Sequence, residues 1–138
     1  MKQQQSGIAL LEAMLATLIL AIGLLGTVGM QARAYSAMAD ASMRAEATIA
    51  AEKLLGLMNN DQANLTLYAL APGAGADPRL QAWLAETRSA IPNAVIGIAI
   101  STPAAAGSSS QVDITIQWTR KDKGVQNTHA LTAYIAPS

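Results

Sequence analysis

Between residues 13 and 30 the chain has no polar side chain other than threonine; every other position is apolar or glycine. At 1.5 Å rise per residue in a helix, this run covers ~27 Å, close to the hydrocarbon thickness of a bilayer. Residues 8–11 are apolar as well and lengthen it. A core helix that is apolar on every side would need a protein shell all round, which roughly a hundred further residues hardly supply. The pattern predicts a membrane-spanning helix. Past Tyr35 the pattern changes. Ala39, Met43, Ala47, Ala50, Leu54 and Leu57 recur at steps of three and four among small or polar residues, and no proline intervenes. That period predicts the same helix continuing with a single apolar stripe turned toward a small head. "NNDQ" at 59–62 is the expected stop, with Gly56 an earlier alternative. A helix from about Ser6 to Asn60 would be ~80 Å long.

"LAPGAGAD", residues 70–77, is expected to be a plain loop, because its glycines lack phosphate-loop spacing and no Lys-Ser/Thr follows. Asp77 and Pro78 form an N-cap and first-turn pair. Leu80, Trp83, Leu84, Thr87 and Ile91 then line one face of a short helix that ends at Pro92. Trp83 is expected in the core of the head. Ile96, Ile98 and Ile100 alternate with Val95, Gly97 and Ala99, a strand pattern. Val112, Ile114, Ile116 and Trp118 alternate cleanly with Gln111, Asp113, Thr115 and Gln117, and "HALTAYI" does so more loosely. "KDKG" at 121–124 reads as a tight hairpin turn and "TPAAAGSSS" as a surface loop. The fold class is α+β: a long amino-terminal helix whose second half packs on a head with a short helix and a three-stranded antiparallel sheet.

Composition removes several function classes. Net charge is zero and the nine basic residues are scattered, so there is no electrostatic footprint for nucleic acid. With no Cys and a single His, thiol nucleophiles, disulfides, acylated lipoprotein anchors and zinc sites are out. His129 is expected on a strand surface. Asp113, Glu86 and Asp122 fall on different elements and offer no acid/base dyad. Ser108 to Ser110 have no base within reach by sequence. Asn64-Leu65-Thr66 matches a glycosylation sequon by pattern alone. The chain does not read as an enzyme, and no metal or cofactor is implied.

One residue breaks the apolar run. Glu12 lies near its start, where an acid costs less than the ~2.5–3.5 kcal/mol it costs at a membrane centre. Its i±3 and i±4 neighbours are Ile8, Ala9, Leu15 and Ala16, so no cation on its own helix can meet it. A new amino terminus, made by cutting the leader, would be a suitable one. "MKQQQSG" carries Lys2 and no acid, which favours a cytoplasmic amino-terminal end, although Arg33 on the far side argues weakly the other way. Ala32-Arg33-Ala34 also offers a signal-peptidase pattern that would release a soluble chain from Tyr35, but the apolar region exceeds the usual ~7–15 residues of such signals.

"SGIALLEAMLATLILAIGLLGTVGMQ" resembles the amino-terminal signature of type IV pilins and the related type II secretion pseudopilins. In that family a membrane aspartyl protease, the prepilin peptidase, cuts after a Gly and before an apolar residue. It methylates the new amino group, and a Glu stands fifth in the mature chain. The matching positions are Gly7, Ile8 and Glu12; Ile8 stands where Phe is more usual and Ala9 where Thr is. The continuation "LAIGLLGTVGMQ" is most similar to PilV-type minor pilins, the type IV pilus modification proteins. The resemblance implies a leader at 1–7, a membrane and fibre-core helix at 8–34, and an extracytoplasmic head at 35–138 that includes the second half of the long helix. It implies cleavage between Gly7 and Ile8, N-methylation of Ile8, and an assembly contact at Glu12. The implied partners are other minor pilins, the major pilin, the prepilin peptidase and a tip adhesin. The implied life history is a single-pass inner-membrane protein later drawn into an extracellular pilus, priming its assembly near the tip. Pilin heads often close a carboxy-terminal loop with a disulfide; without Cys this head cannot. Alternatives are a type II secretion pseudopilin, a secreted binding module cut after Ala34, and a membrane-tethered sensor domain.

Overall fold

A computed structural model describes residues 6–103, 107–119, 124 and 126–136. Residues 1–5, the centre of the "TPAAAGSSS" stretch and most of the "KDKG" stretch lie outside the described residues. Helix α1 (Ser6–Asn60) is followed by a 3-10 helix (Gln62–Tyr68), helix α2 (Pro78–Ala90) and strands β1 (Val95–Ser101), β2 (Ser110–Thr119) and β3 (Gln126–Ile135). This is the α+β class expected, with a 55-residue first helix that passes Gly56 and stops where "NNDQ" begins. The chain divides into two compact units within α1, at Ala41 and Ser42.

The first unit is helical throughout its described length, and every residue from Ile8 to Tyr35 is exposed. Among the described residues, α1 is the one helix long and apolar enough to cross a membrane. Its two internal threonines hide their polarity: the Thr17 hydroxyl donates to the Met14 carbonyl at 2.8 Å, and Thr27 to Leu24 at 2.8 Å. A hydroxyl bonded to its own helix needs no water, so it can face hydrocarbon.

The second unit is built around the last five turns of α1. Ala47, Ala51, Leu54 and Met58 are fully buried, at alternating steps of four and three. The stripe expected from sequence therefore ends differently. Leu57 stays substantially exposed and Ala39 is exposed, while Met58 takes the inward position. Both residues are apolar, and only the ~100° step between neighbours on a helix decides which one faces the sheet. Against this stripe pack Leu65, Tyr68 and Leu70, the α2 face of Leu80, Trp83 and Leu84, and the inner rows of the sheet. Thr87 and Ile91 are buried too, so the whole predicted α2 face is inward. Asp77 caps α2 by accepting from the Arg79 backbone N–H at 3.0 Å, with Pro78 in the first turn. Trp83 belongs to the core, and its indole N–H donates to the Ala50 carbonyl at 2.9 Å, fixing α2 on α1. The chain then turns at Asn93, whose positive φ of 62° suits asparagine better than most residues.

The sheet runs β1-β2-β3, antiparallel throughout, with Ile98 opposite Ile114 and Ile116 opposite His129. Val112, Ile114, Ile116 and Trp118 all point inward and are buried, as their alternation requires. Residues 62–68 coil as a 3-10 helix. Two expectations fail here. Leu70, placed in the plain loop at 70–77, forms a bridge with Ile98. His129 is not on the outer face; it sits half-buried in the inner row of β3 because strict period-two pairing with Ile116 turns it that way.

Ile114 is buried in this core with only apolar residues, Ile98 and Leu131, opposite it on the neighbouring strands. Ile114→Asp in a fragment beginning at Tyr35 should abolish the cooperative thermal transition seen by circular dichroism. A melt unchanged from the wild-type fragment would disprove the register described above.

Candidate functional site

Gly7 and Ile8 lie in the first turn of α1, where backbone N–H groups have no intrahelical acceptor and the helix frays most easily. Glu12 follows one turn later, exposed, on a helix whose surroundings are apolar residues. It forms no ion pair with any described residue. With Thr17 and Thr27 bonded to their own backbone, Glu12 is the one polar side chain between residues 8 and 30 left without a partner among the described residues. The three positions marked by the sequence thus fall on one continuous helical stretch. What this arrangement can do is offer one carboxylate, at a fixed height on an apolar rod, to a cation from elsewhere.

The head holds a second polar centre that the sequence did not disclose. Asp61, just past the end of α1, accepts from the Asn64 amide at 2.7 Å, the Tyr68 hydroxyl at 3.1 Å and the Arg79 guanidinium at 3.2 Å. The Asn64 hydrogen bond holds the Asp61 carboxyl below its ordinary value; burial opposes the shift, and Tyr68 and Arg79 add to it. Burial, and then the hydrogen bond and charge of Asp61, push the Tyr68 phenol up. These groups join α1, the 3-10 helix and α2 at a corner, and every partner serves that joint. Because the Asn64 amide nitrogen is spent on Asp61 and Leu65 is buried, the sequon pattern sits in a poor place for modification.

Of the acids singled out in the sequence, Glu86 and Asp113 are held on different elements and not brought together. Glu86 pairs with Lys53 across α1 and α2, and Asp113 accepts from Thr132 and Gln111 on the outer face of the sheet. Asp122 lies outside the described residues. Ser110 shares a cleft of ≈ 230 Å³ with Gln62, Thr66, Thr102 and Ile135, without a titratable side chain in its lining. No group of three or more His, Cys, Asp or Glu among the described residues could hold a metal.

Comparison with protein-family models, with characterised proteins and with solved structures returns no match. The residues themselves must carry the functional reading.

The Asp61 corner makes a prediction about acid. Its folded-state value lies below that of the unfolded chain, so its contribution is complete above about pH 4 and is lost as pH falls through the folded value. Thermal melts of the head should lose stability on acidification below that point. Asp61→Asn should be less stable at neutral pH and show a shallower acid dependence; parallel slopes for the two proteins would remove Asp61 from the account.

Proposed function

We propose that this chain is a minor pilin: a membrane-anchored subunit that is cut after Gly7, methylated on Ile8 and drawn into a type IV pilus with other minor pilins. The observation that carries the reading is the unpartnered carboxylate of Glu12, fifth from Ile8, on a helix that otherwise conceals every polar group over residues 8–30. The family resemblance of residues 6–31 supports it, as does the α+β head built on the second half of the same helix.

In a bundle of such helices, Glu12 would meet the methylated ammonium of Ile8 from its own chain or a neighbouring one. The pair would set axial register, because a slip of one helical turn, about 5.4 Å, leaves two charges unpaired in apolar surroundings. The head would then decide which neighbours the subunit accepts, and the implied place is near the pilus tip with a tip adhesin. The inner membrane is where the subunit waits before extraction, and the prepilin peptidase acts on it there.

Two experiments test this. Intact-mass analysis of the protein from membranes should show loss of residues 1–7 and gain of one methyl group; a chain beginning at Tyr35 would overturn the reading in favour of a secreted module. Glu12→Leu should remain membrane-bound and still be cut after Gly7, yet be depleted from sheared pili and from minor-pilin complexes. Immunoblots of membrane and pilus fractions from the same cells measure this, and wild-type levels of the variant in both assemblies would sink the role given to Glu12.

A further inference from the structure

The outer face of the sheet carries one charge. Its rows are Val95, Gly97, Ala99 and Ser101 on β1, the odd-numbered positions of 111–119 on β2, and the even-numbered positions of 126–134 on β3. Of these residues only Asp113 is charged at neutral pH. It is half-buried, and both its carboxylate oxygens are fixed. The Thr132 hydroxyl donates to one at 2.5 Å, and the Gln111 amide donates to the other at 2.8 Å. Both donors are neutral, and Asp113 forms no ion pair with any described residue. A carboxylate has about four lone-pair positions, so about two stay open.

The open side looks toward β1. Ala99 stands opposite Asp113, and Gly97 lies two residues before it, so a methyl group and bare backbone form the floor there. Beyond Gly97 stands the Pro72 ring, so close that a Cβ on Gly97 would come within 3.3 Å of it. Pro72 is kept in place by Leu70 and Ile98, whose backbones exchange hydrogen bonds at 2.9 and 2.8 Å. The result is a groove of ≈ 540 Å³. Its lining comes from the 69–72 segment, β1 and β2, and includes no residue of β3 and no aromatic ring.

We propose that this groove binds a primary ammonium at the end of an unbranched alkyl stem, the chemistry shared by free aliphatic amines and lysine side chains. The ammonium donates to the open positions of Asp113, and the stem lies over Ala99 and Gly97 against Pro72. Two residues of strand separate the carboxylate from the proline wall, ~7 Å, about the reach of the four-carbon lysine stem. A compact ammonium suits the site better than a guanidinium fork, because Thr132 and Gln111 already occupy one position on each oxygen. A quaternary ammonium has no N–H to donate, and the groove offers it no aromatic face. The site belongs to the head alone and does not rest on the pilin reading.

The test is a titration followed by backbone amide NMR shifts, on the full isotope-labelled chain in uncharged detergent micelles. The probes are n-pentylamine, a Gly-Lys-Gly peptide blocked at both ends, and n-pentanol as the uncharged match to the amine. Amides of Gly97, Ala99 and Asp113 should shift saturably with an ammonium probe, and pentanol should bind about fivefold more weakly or not at all. Asp113→Asn removes the charge but keeps an acceptor, and Ala99→Leu fills the floor but keeps the charge. Each should weaken ammonium binding about fivefold or more. Thermal melting checks that the variants fold; if one does not, the other decides, and if neither does, the pentanol comparison decides. Binding of the amine alone marks a free amine as the ligand, and binding of the peptide as tightly or more so marks a lysine side chain; either supports the site. Three results would overturn the proposal: pentanol binding as tightly as the amine, unchanged affinity in the folded variants, or shifts confined to residues away from the groove.

Discussion

The contact between the end of α1 and the sheet is the constraint on which the head depends. Ala47 and Ala51 form the small-residue part of this stripe and are wholly buried. Leu54 and Met58 then fill the space further along, each worth ~1.5–3 kcal/mol of burial. A head of this size has no second core to fall back on. α2, the 3-10 helix and all three strands are held by touching this stripe or something seated on it. The exposed Lys53–Glu86 pair beside it adds little, since such pairs are worth ~0–1 kcal/mol.

This arrangement also divides labour along one helix. Up to Tyr35 its side chains face outward on all sides, and from Ala47 one side is committed to the sheet. Where the chain leaves the helix, the Asp61 N–H donates to the Met58 carbonyl at 3.2 Å, and the Asp61 carboxylate accepts from Asn64, Tyr68 and Arg79, so that the 3-10 helix and α2 start from a fixed corner. With no cysteine anywhere, noncovalent contacts of this kind are all that hold the end of β3 in place. Ile135, the last residue of that strand, is accordingly buried where its neighbours in the strand are not.

Much of this was legible in the residues. The alternation from Gln111 to Trp118 contrasts isoleucine with aspartate and threonine, so its inner row could be read directly. The α2 face was readable because Asp77-Pro78 fixes where the helix starts. The α1 stripe was readable only in part: Ala39 is exposed, Ala50 is half-buried where Ala51 is fully buried, and from Leu54 on, Leu54, Leu55, Leu57 and Met58 are all apolar, so periodicity has no contrast to use. The 3-10 helix left no signal, since seven residues with Asn and Thr among them show no helical period. His129 was misplaced because its strand sets alanine and threonine against each other, and neither marks a face. Gly7, Ile8 and Glu12 stood out as a motif, and the structure adds that Thr17 and Thr27 leave Glu12 alone. The Asp61 corner was invisible, because its partners come from separate elements and meet only after packing.

The two tryptophans make the head its own optical probe. Trp83 and Trp118 are both buried in the second unit, and the first unit contains none. Their indoles are not equivalent: that of Trp83 donates to a helix carbonyl, whereas that of Trp118 is buried with no acceptor among the described residues. Indole emission from this chain therefore arises wholly from the head and is blind to whatever surrounds residues 8–35. It carries two components of different polarity, one seated between α1 and α2 and one beneath the sheet. Light emitted by the intact protein in lipid would thus track the folding of the head alone, with no label attached.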